Sequence, residues 1–266
     1  MDLAQLLKVA QAAVDQGRTV TDTRGPGTLT FKSDRDMASE VDFAVERKIR
    51  EFLERETPEI GIEGEEEGGP TEGTRWVLDP IDGTVNFVHG TPLWAISLGL
   101  IVDDRAVAGV IDHPPLGTRY AAAEGLGATC NGKAIQGSQC TTLNEALIAM
   151  GDYAIGPHAD DHNPQRTALH NLLVPKVQRL RMIGTAATAL TWTANGFFDA
   201  TIMYSNKPWD TMAGVAICRE AGLQVLDLDG SQHSPASRGT FAVAPGLAGE
   251  LTELIAQSGV RGISEK

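Results

Sequence analysis

The stretch that most constrains this chain is Trp76-Val77-Leu78-Asp79-Pro80-Ile81-Asp82-Gly83-Thr84-Val85-Asn86-Phe87. The apolar run from Trp76 to Leu78 predicts a short buried strand. Pro80 lacks a backbone donor and stiffens the chain, so the strand is expected to stop there. Gly83 permits a sharp turn and a close backbone approach. Two carboxylates, Asp79 and Asp82, are thereby set at the end of a rigid strand with free N–H groups just behind them. Oxygen ligands so arranged suit a hard cation such as magnesium. Free N–H groups beside a cation suit a phosphate. An Asp-Pro turn followed by an Asp-Gly turn is the plainer reading of the same residues, and on this stretch alone both stand.

Upstream, Leu3, Leu6, Leu7, Val9, Ala10, Ala13 and Val14 form a helical stripe that Gly17 is expected to end. Residues 22–38 are polar, with Gly25-Pro26-Gly27, and read as an exposed, mobile loop. Ser39 offers an N-cap to a helix carrying Val41, Ala44, Val45, Ile49, Phe52 and Leu53. Asp42 falls in its first turn, where the helix dipole favours an acid whatever else that acid does. Ile60-Gly61-Ile62 reads as a strand running into the acidic run Glu63 to Gly69. Most such runs are solvated loops. This one leaves a strand end near Asp79 and Asp82, so one of its carboxylates is positioned to close a metal site.

Downstream, residues 94–102, 106–111 and 119–123 predict an antiparallel meander, and Asn131-Gly132 a further turn. A second pattern begins at Ala146. A helix is expected from Asn163-Pro164 to about Val174, and a strand over residues 180–183. Gly184-Thr185-Ala186-Ala187 opens a small-residue helix, which suits either a ligand or a closely packed neighbour. A strand covers residues 200–204. Trp209-Asp210 precedes a helix from Thr211 to Ala221, with Asp210 readable as its N-cap. Short strands near 225 and 241–244 and a final helix from about Leu247 complete the chain. The organisation is one compact unit of two halves, an α+β half over 1–140 and an α/β half over 141–266.

Composition excludes several classes of function. The 266 residues carry a net charge of −13, so clustered Lys and Arg for direct nucleic-acid binding are not expected. No apolar run approaches the ~20 residues needed to span a bilayer, and the N-terminus lacks signal-peptide character. A cytoplasmic location is the expectation, with no membrane association. Cys130, Cys140 and Cys218 show no paired ligand spacing and read as reduced thiols.

Three separated elements combine into a resemblance. Gly64-Glu65-Glu66, Asp79-Pro80-Ile81-Asp82-Gly83-Thr84 and Trp209-Asp210-Thr211-Met212-Ala213-Gly214 resemble the signatures of the inositol monophosphatase family, within the magnesium-dependent, lithium-sensitive phosphatases. Gly184 to Ala187, and Lys32 through Asp42, resemble further family elements. The likeness spans nearly the full chain, and its central six residues are highly specific. It implies an α+β / α/β layered αβαβα sandwich and a metal-assisted phosphomonoesterase acting on a small phosphorylated metabolite, inositol monophosphate foremost. It also implies a homodimer and sensitivity to lithium. Haloacid-dehalogenase-type phosphatases carry Asp-x-Asp-Gly-Thr with a nucleophilic Asp. Here Pro80 and Ile81 separate the acids, a register better suited to direct attack by water.

By that resemblance, Glu65, Asp79 and the Ile81 carbonyl hold one Mg2+, and Asp79, Asp82 and Asp210 a second. A weaker third ion shares Glu65. Asp42 and Thr84 orient and deprotonate the attacking water, and with Glu65 form the catalytic set. The Gly83 and Thr84 N–H groups hold phosphate oxygens, with Asp82, Asp210, Gly184, Thr185 and Ala186 lining the phosphate and substrate site. The chemistry is coherent without the name, because divalent ions offset the repulsion between a phosphate dianion and an incoming hydroxide.

Two positions depart from the pattern. Many inositol monophosphatases carry a Glu seven residues before the Trp-Asp acid, where it contacts substrate hydroxyls, and this chain has Met203 there. Residues 204–208 differ as well. Asp152, in Gly151-Asp152-Tyr153, reads either as a pocket residue or as a strand-end turn. Histidinol phosphate, fructose 1,6-bisphosphate and adenosine 3′,5′-bisphosphate therefore stand as alternative substrates. An interaction or regulatory protein on the phosphatase fold is the alternative of another class.

Overall fold

The computed structural model describes residues 2–23, 25, 27–33, 36–156 and 159–262. Helix α1 (Leu3–Thr21) is capped by Asp2, whose carboxylate accepts from Ala4 and Gln5 N–H. Gly17 does not end it. That glycine is buried within the helix, and a Cβ there would lie 2.8 Å from Ile49 Cδ1, so its small size lets the next helix cross. Strands β1 (Leu29–Ser33) and β2 (Asp36–Ser39) form an antiparallel hairpin where the sequence predicted a loop. Backbone pairing builds this ladder without the alternating apolar residues that would announce it. The Arg24, Pro26, Asp34 and Arg35 positions of the predicted loop lie outside the described residues.

Helix α2 (Glu40–Glu56) begins with a capping box in which Ser39 and Asp42 satisfy each other's backbone N–H region. Strands β3 (Gly61–Gly64), β4 (Arg75–Asp82), β5 (Ala95–Val102), β6 (Arg105–His113), β7 (Thr118–Ala123), β8 (Gly127–Cys130) and β9 (Lys133–Ala134) form one seven-stranded sheet in sequence order. Only β3 and β4 pair in parallel. The short helix α3 (Thr84–Val88) follows β4. Strand β4 does not stop at Pro80. Its pairing with β5 shifts register between Asp79 and Asp82, and this bulge absorbs the missing donor while the strand continues, wholly buried, to Asp82.

The second sheet has the order β11-β10-β12-β14-β13, from β10 (Leu147–Met150), β11 (Arg179–Arg181), β12 (Ala200–Met203), β13 (Gln224–Leu226) and β14 (Thr240–Val243). Its helices are α4 (Ala159–Leu173), α5 (Ala186–Ala194), α6 (Pro208–Glu220) and α7 (Ala248–Ser258). Helix α4 starts before Asn163-Pro164, and Pro164 lies inside it. Asn163 instead ties the helix to the preceding segment, bonding Ala154 N and O at 2.7 and 3.0 Å. Helix α6 likewise begins earlier than predicted, at Pro208, with Lys207 as N-cap and Asp210 inside the first turn.

These elements stack as an αβαβα sandwich. Helices α1 and α2 bury Leu6, Val14, Val45, Ile49 and Leu53 against Leu78, Leu98 and Val110 on one face of the large sheet. Helices α5 and α6 cover its other face, where Val77, Ile111 and Tyr120 meet Leu190, Met212 and Val215. The small sheet covers those helices in turn: Ala149 and Met203 share a cluster with Ala189 of α5. Strand alternation turns Ile148 and Ile202 the other way, toward Leu169, Leu173 and Leu251 of α4 and α7. The sheet–helix contact is close at Gly109, where an added Cβ would lie 2.3 Å from the Ala213 carbonyl. That close approach brings the start of α6 over the strands carrying Asp79. No helix among the described residues is long and apolar enough to cross a membrane.

Candidate active site

Three separate elements deliver acids to one place. Glu65 leaves the end of β3, and its N–H bonds the Leu78 carbonyl at 3.1 Å, which pins it beside β4. Asp79 lies on the bulge, 2% exposed, with Oδ1 accepting the Ile81 N–H at 2.9 Å. Asp210 comes from the first turn of α6. One carboxylate oxygen from each of Glu65, Asp79 and Asp210 lies within 4.8 Å of the others. Burial, then the charges of Glu65, Asp82, Asp210 and Asp42, push the Asp79 carboxyl well above the usual carboxylate range. Like charges this close, one buried and two half-buried, are unfavourable without a counter-ion. All its donors are carboxylate oxygens, the set a hard divalent ion prefers, so these residues fit a metal.

Asp82 takes a different position. It is not part of that three-acid group, and its Oδ2 is held by the start of α5: the Thr185 hydroxyl donates to it, and the Ala187 N–H donates at 2.6 Å. Burial pushes its carboxyl up to about 6, against the lowering effect of these hydrogen bonds. Thr185 is the N-cap of α5, so one residue both starts a helix and orients an acid 103 positions away in the chain.

Asp42 combines both roles considered for it. Its Oδ2 accepts from the Ser39 N–H at 3.0 Å and from the Ser39 hydroxyl, completing the cap. Its Oδ1 lies 3.2 Å from Thr84 Oγ1, which also sits 3.1 Å from the Ile81 carbonyl. The dyad is thus built by helix α2 meeting the residue after β4. Burial pushes the Asp42 carboxyl up, opposed by the bonds from Ser39. Gly83 turns the chain with φ 94°, and a Cβ there would meet the Leu93 carbonyl at 3.0 Å. Because α3 begins at Thr84, its first N–H groups have no intrahelical acceptor.

A cleft of about 160 Å³ opens beside the acids. It brings together Asp82, Asp152, Gly184, Thr185, Ala186, Met203 and Asp210, all named from sequence. A second hollow shares Asp152 and Gly184 and reaches Gly83 and Thr84. Several contributors gave no sequence signal. Arg166 of α4 lines the cleft, donating to the Asp152 carbonyl at 2.6 Å with its guanidinium 4.6 Å from the Tyr204 ring. Asn86 donates to the carbonyls of Leu93 and Ile183, joining α3 to the segment before α5. Asn206 accepts from the Thr211 hydroxyl at 2.7 Å and holds the approach to α6. Glu46, buried in α2, accepts the N–H groups of Glu66 and Glu67 and so clasps the loop bearing Glu65. Only the Asn206 and Asn86 amides stood near recognisable motifs; Glu46 and Arg166 look like ordinary helix-surface charges in sequence.

A layered sandwich that gathers three carboxylates from a strand end, a strand bulge and a helix start offers a site for a divalent ion. The sequence profile of the inositol monophosphatase family matches residues 2–262. A probable inositol 1-monophosphatase, ImpA, of Mycobacterium tuberculosis is 36% identical over 230 residues, covering 86% of this chain and 85% of that one. A fructose-1,6-bisphosphatase/inositol-1-monophosphatase of Aquifex aeolicus is 32% identical, covering 83% of this chain and 85% of that one. The solved extragenic suppressor protein suhB of Bartonella henselae superposes with a TM-score of 0.86 at 27% identity, covering 94% of this chain and 98% of that one. The chain belongs to the inositol monophosphatase family, and it is a phosphomonoesterase.

Proposed function

We propose that the chain hydrolyses inositol monophosphate with magnesium as its metal. The observation that carries this reading is the meeting of Glu65, Asp79 and Asp210 beside the Thr84–Asp42 pair. Glu65, Asp79 and the Ile81 carbonyl would hold one ion, Asp79, Asp82 and Asp210 a second, and a third would share Glu65. Bound there, divalent ions supply charge neutralisation for the phosphate dianion and acidify water. The chain's own residues supply the rest. Thr84 Oγ1 orients the attacking water, and its proton passes toward the Asp42 carboxylate. The N–H groups of Gly83 and Thr84 hold phosphate oxygens at the start of α3. The alcohol portion lies in the cleft among Asp152, Met203 and Gly184 to Ala186, beside Asp210.

Fructose 1,6-bisphosphate is the second reading. It is favoured by Met203, which places a thioether where a carboxylate would bind inositol hydroxyls, and by the dual name of the Aquifex relative. We further propose a homodimer, a cytoplasmic location in keeping with three free cysteines, and assembly from halves 1–140 and 141–266. The test is phosphate release with magnesium from inositol 1-phosphate, fructose 1,6-bisphosphate, histidinol phosphate and adenosine 3′,5′-bisphosphate, with Asp82→Asn alongside. Preference for inositol 1-phosphate with a dead variant is expected. Undiminished turnover after exhaustive chelation overturns the metal reading, and preference for another substrate overturns the inositol assignment.

A further inference from the structure

His113 ends β6, is fully buried, and has no part in the chemistry above. It faces α5, the helix whose first turn holds Asp82. Its Nε2 lies 3.1 Å from Thr191 Oγ1. The Thr191 hydroxyl already donates to the Ala187 carbonyl at 2.8 Å, so His113 Nε2 is the donor to Thr191. On the other side of the ring, Nδ1 meets Thr188 Oγ1 at 3.5 Å. Thr188 Oγ1 lies 3.1 Å from Thr185 Oγ1, and the Thr188 N–H donates to the same Thr185 oxygen at 3.2 Å. Thr185 in turn donates to Asp82 Oδ2. A continuous polar chain therefore runs from the ring to the Thr188 hydroxyl, whose one hydrogen goes to Nδ1, and on through the Thr188 N–H and the Thr185 hydroxyl to the acid.

This chain crosses what is otherwise an apolar interface. Thr188, Thr191 and His113 are all 0% exposed. Apolar side chains of similar size would fill the space without the desolvation cost of these three polar side chains. What a satisfied polar cluster provides instead is a single geometry: sliding or rotating α5 against β6 breaks several buried hydrogen bonds together. The ring also packs edge-on against Tyr120, with centroids 5.7 Å apart, which holds it in one orientation.

We propose that His113 is a positioning residue, which through Thr188 and Thr185 sets α5 against β6 and so fixes the Asp82 carboxylate for metal binding. The inference rests on the reading of Asp82 as a metal ligand. Groups that orient a ligand from behind commonly alter metal affinity when removed.

The test compares Thr188→Val, which removes only the hydroxyl, with Thr188→Ser, which keeps it, and adds His113→Leu. Thr193→Val is the control: Thr193 lies on the same helix but pairs with Thr201 at 2.6 Å, off this chain. Calorimetric titration with magnesium alone gives Kd without turnover, and phosphate release gives kcat and KM. Thr188→Val and His113→Leu are expected to raise the magnesium Kd on the order of tenfold and to lower kcat with little change in substrate KM. Thr188→Ser is expected to restore both values, and Thr193→Val to lower the denaturation midpoint with Kd unchanged. If Thr188→Val matches Thr193→Val in lowering stability alone, the role is structural and the proposal falls. Should His113→Leu fail to fold, the Thr188 pair decides. Asp82→Asn separates the two readings. If it loses magnesium binding while Thr188→Val does not shift Kd, the positioning role alone is wrong. If it keeps wild-type binding and turnover, the metal reading is removed and this proposal with it.

Discussion

Replacing Glu46 with alanine probes how the Glu65 loop is held. Glu46 is fully buried in α2, and its two oxygens accept the Glu66 N–H at 2.9 Å, the Glu67 N–H at 3.0 Å and Arg50 Nε at 2.9 Å. Arg50 then reaches over to the carbonyls of Ile62 and Gly68. Acid and base together clamp both ends of the loop that carries Glu65. Glu46→Ala removes three charge-assisted bonds and leaves a mostly buried guanidinium with only its longer, 3.8 Å pairing to Glu67. Breaking a buried pair in this way costs about 3–5 kcal/mol. For a chain of this size that lowers the thermal midpoint by on the order of 10 °C. Denaturant unfolding in magnesium-free buffer, followed by tryptophan fluorescence, reads the stability, and calorimetry reads the magnesium Kd. Glu46→Gln, which keeps one acceptor oxygen, is expected to fall between wild type and alanine on both. A Glu46→Ala protein within about 0.5 kcal/mol of wild type, the range of an ordinary surface change, would refute the clamp. Lost stability with an unchanged magnesium Kd would refute its link to Glu65.

Three further outcomes follow from the same geometry. Asp79 and Asp82 have raised carboxyls in the metal-free protein, Asp82 to about 6, so the native state holds their protons more tightly than the unfolded chain does. That contribution is fully present below the ordinary carboxylate range near ~4 and is lost as pH rises through about 6. Magnesium competes with those protons, so its stabilising effect in a thermal melt should be large at pH 7.5 and shrink as pH falls through 6; a pH-independent effect would refute this. Gly109→Ala forces a Cβ toward the Ala213 carbonyl, 2.3 Å away, and should cost about 1–3 kcal/mol or more by displacing α6. Because α6 carries Asp210, magnesium affinity should weaken as well, and calorimetry checks it. Gly83→Ala combines φ 94° with a 3.0 Å approach to the Leu93 carbonyl, so it should lower kcat severely in the phosphate-release assay.

Much of the molecule was readable along the chain. The meander from β5 to β7, the N-cap at Ser39, the Asn131-Gly132 turn and the small-residue start of α5 all follow from local periodicity and turn chemistry. These are short-range effects, decided by residues within a few positions of one another. The errors were also local rules overruled from a distance. Gly17 looked like a stop and is instead the point where α1 makes room for Ile49. Pro80 looked like a strand end, yet pairing with β5 on a bulge carries the strand on to Asp82.

The acids themselves were legible because the Asp-Pro-Ile-Asp-Gly-Thr segment and its two partner segments form a recognisable set. Their arrangement was not, because no local rule relates the end of β3, the bulge of β4 and the first turn of α6. Packing relates them: Gly109 admits α6, Glu46 and Arg50 close the Glu65 loop, and α5 arrives to hold Asp82. Glu46 and His113 show the limit most clearly. An acid on a helix and a histidine at a strand end have many ordinary roles, and their meaning here comes from partners twenty or more positions away. Residue chemistry and spacing thus specify which groups are available for phosphate chemistry, while contacts between distant elements specify which of them meet, since burial and hydrogen bonding act through space rather than along the chain.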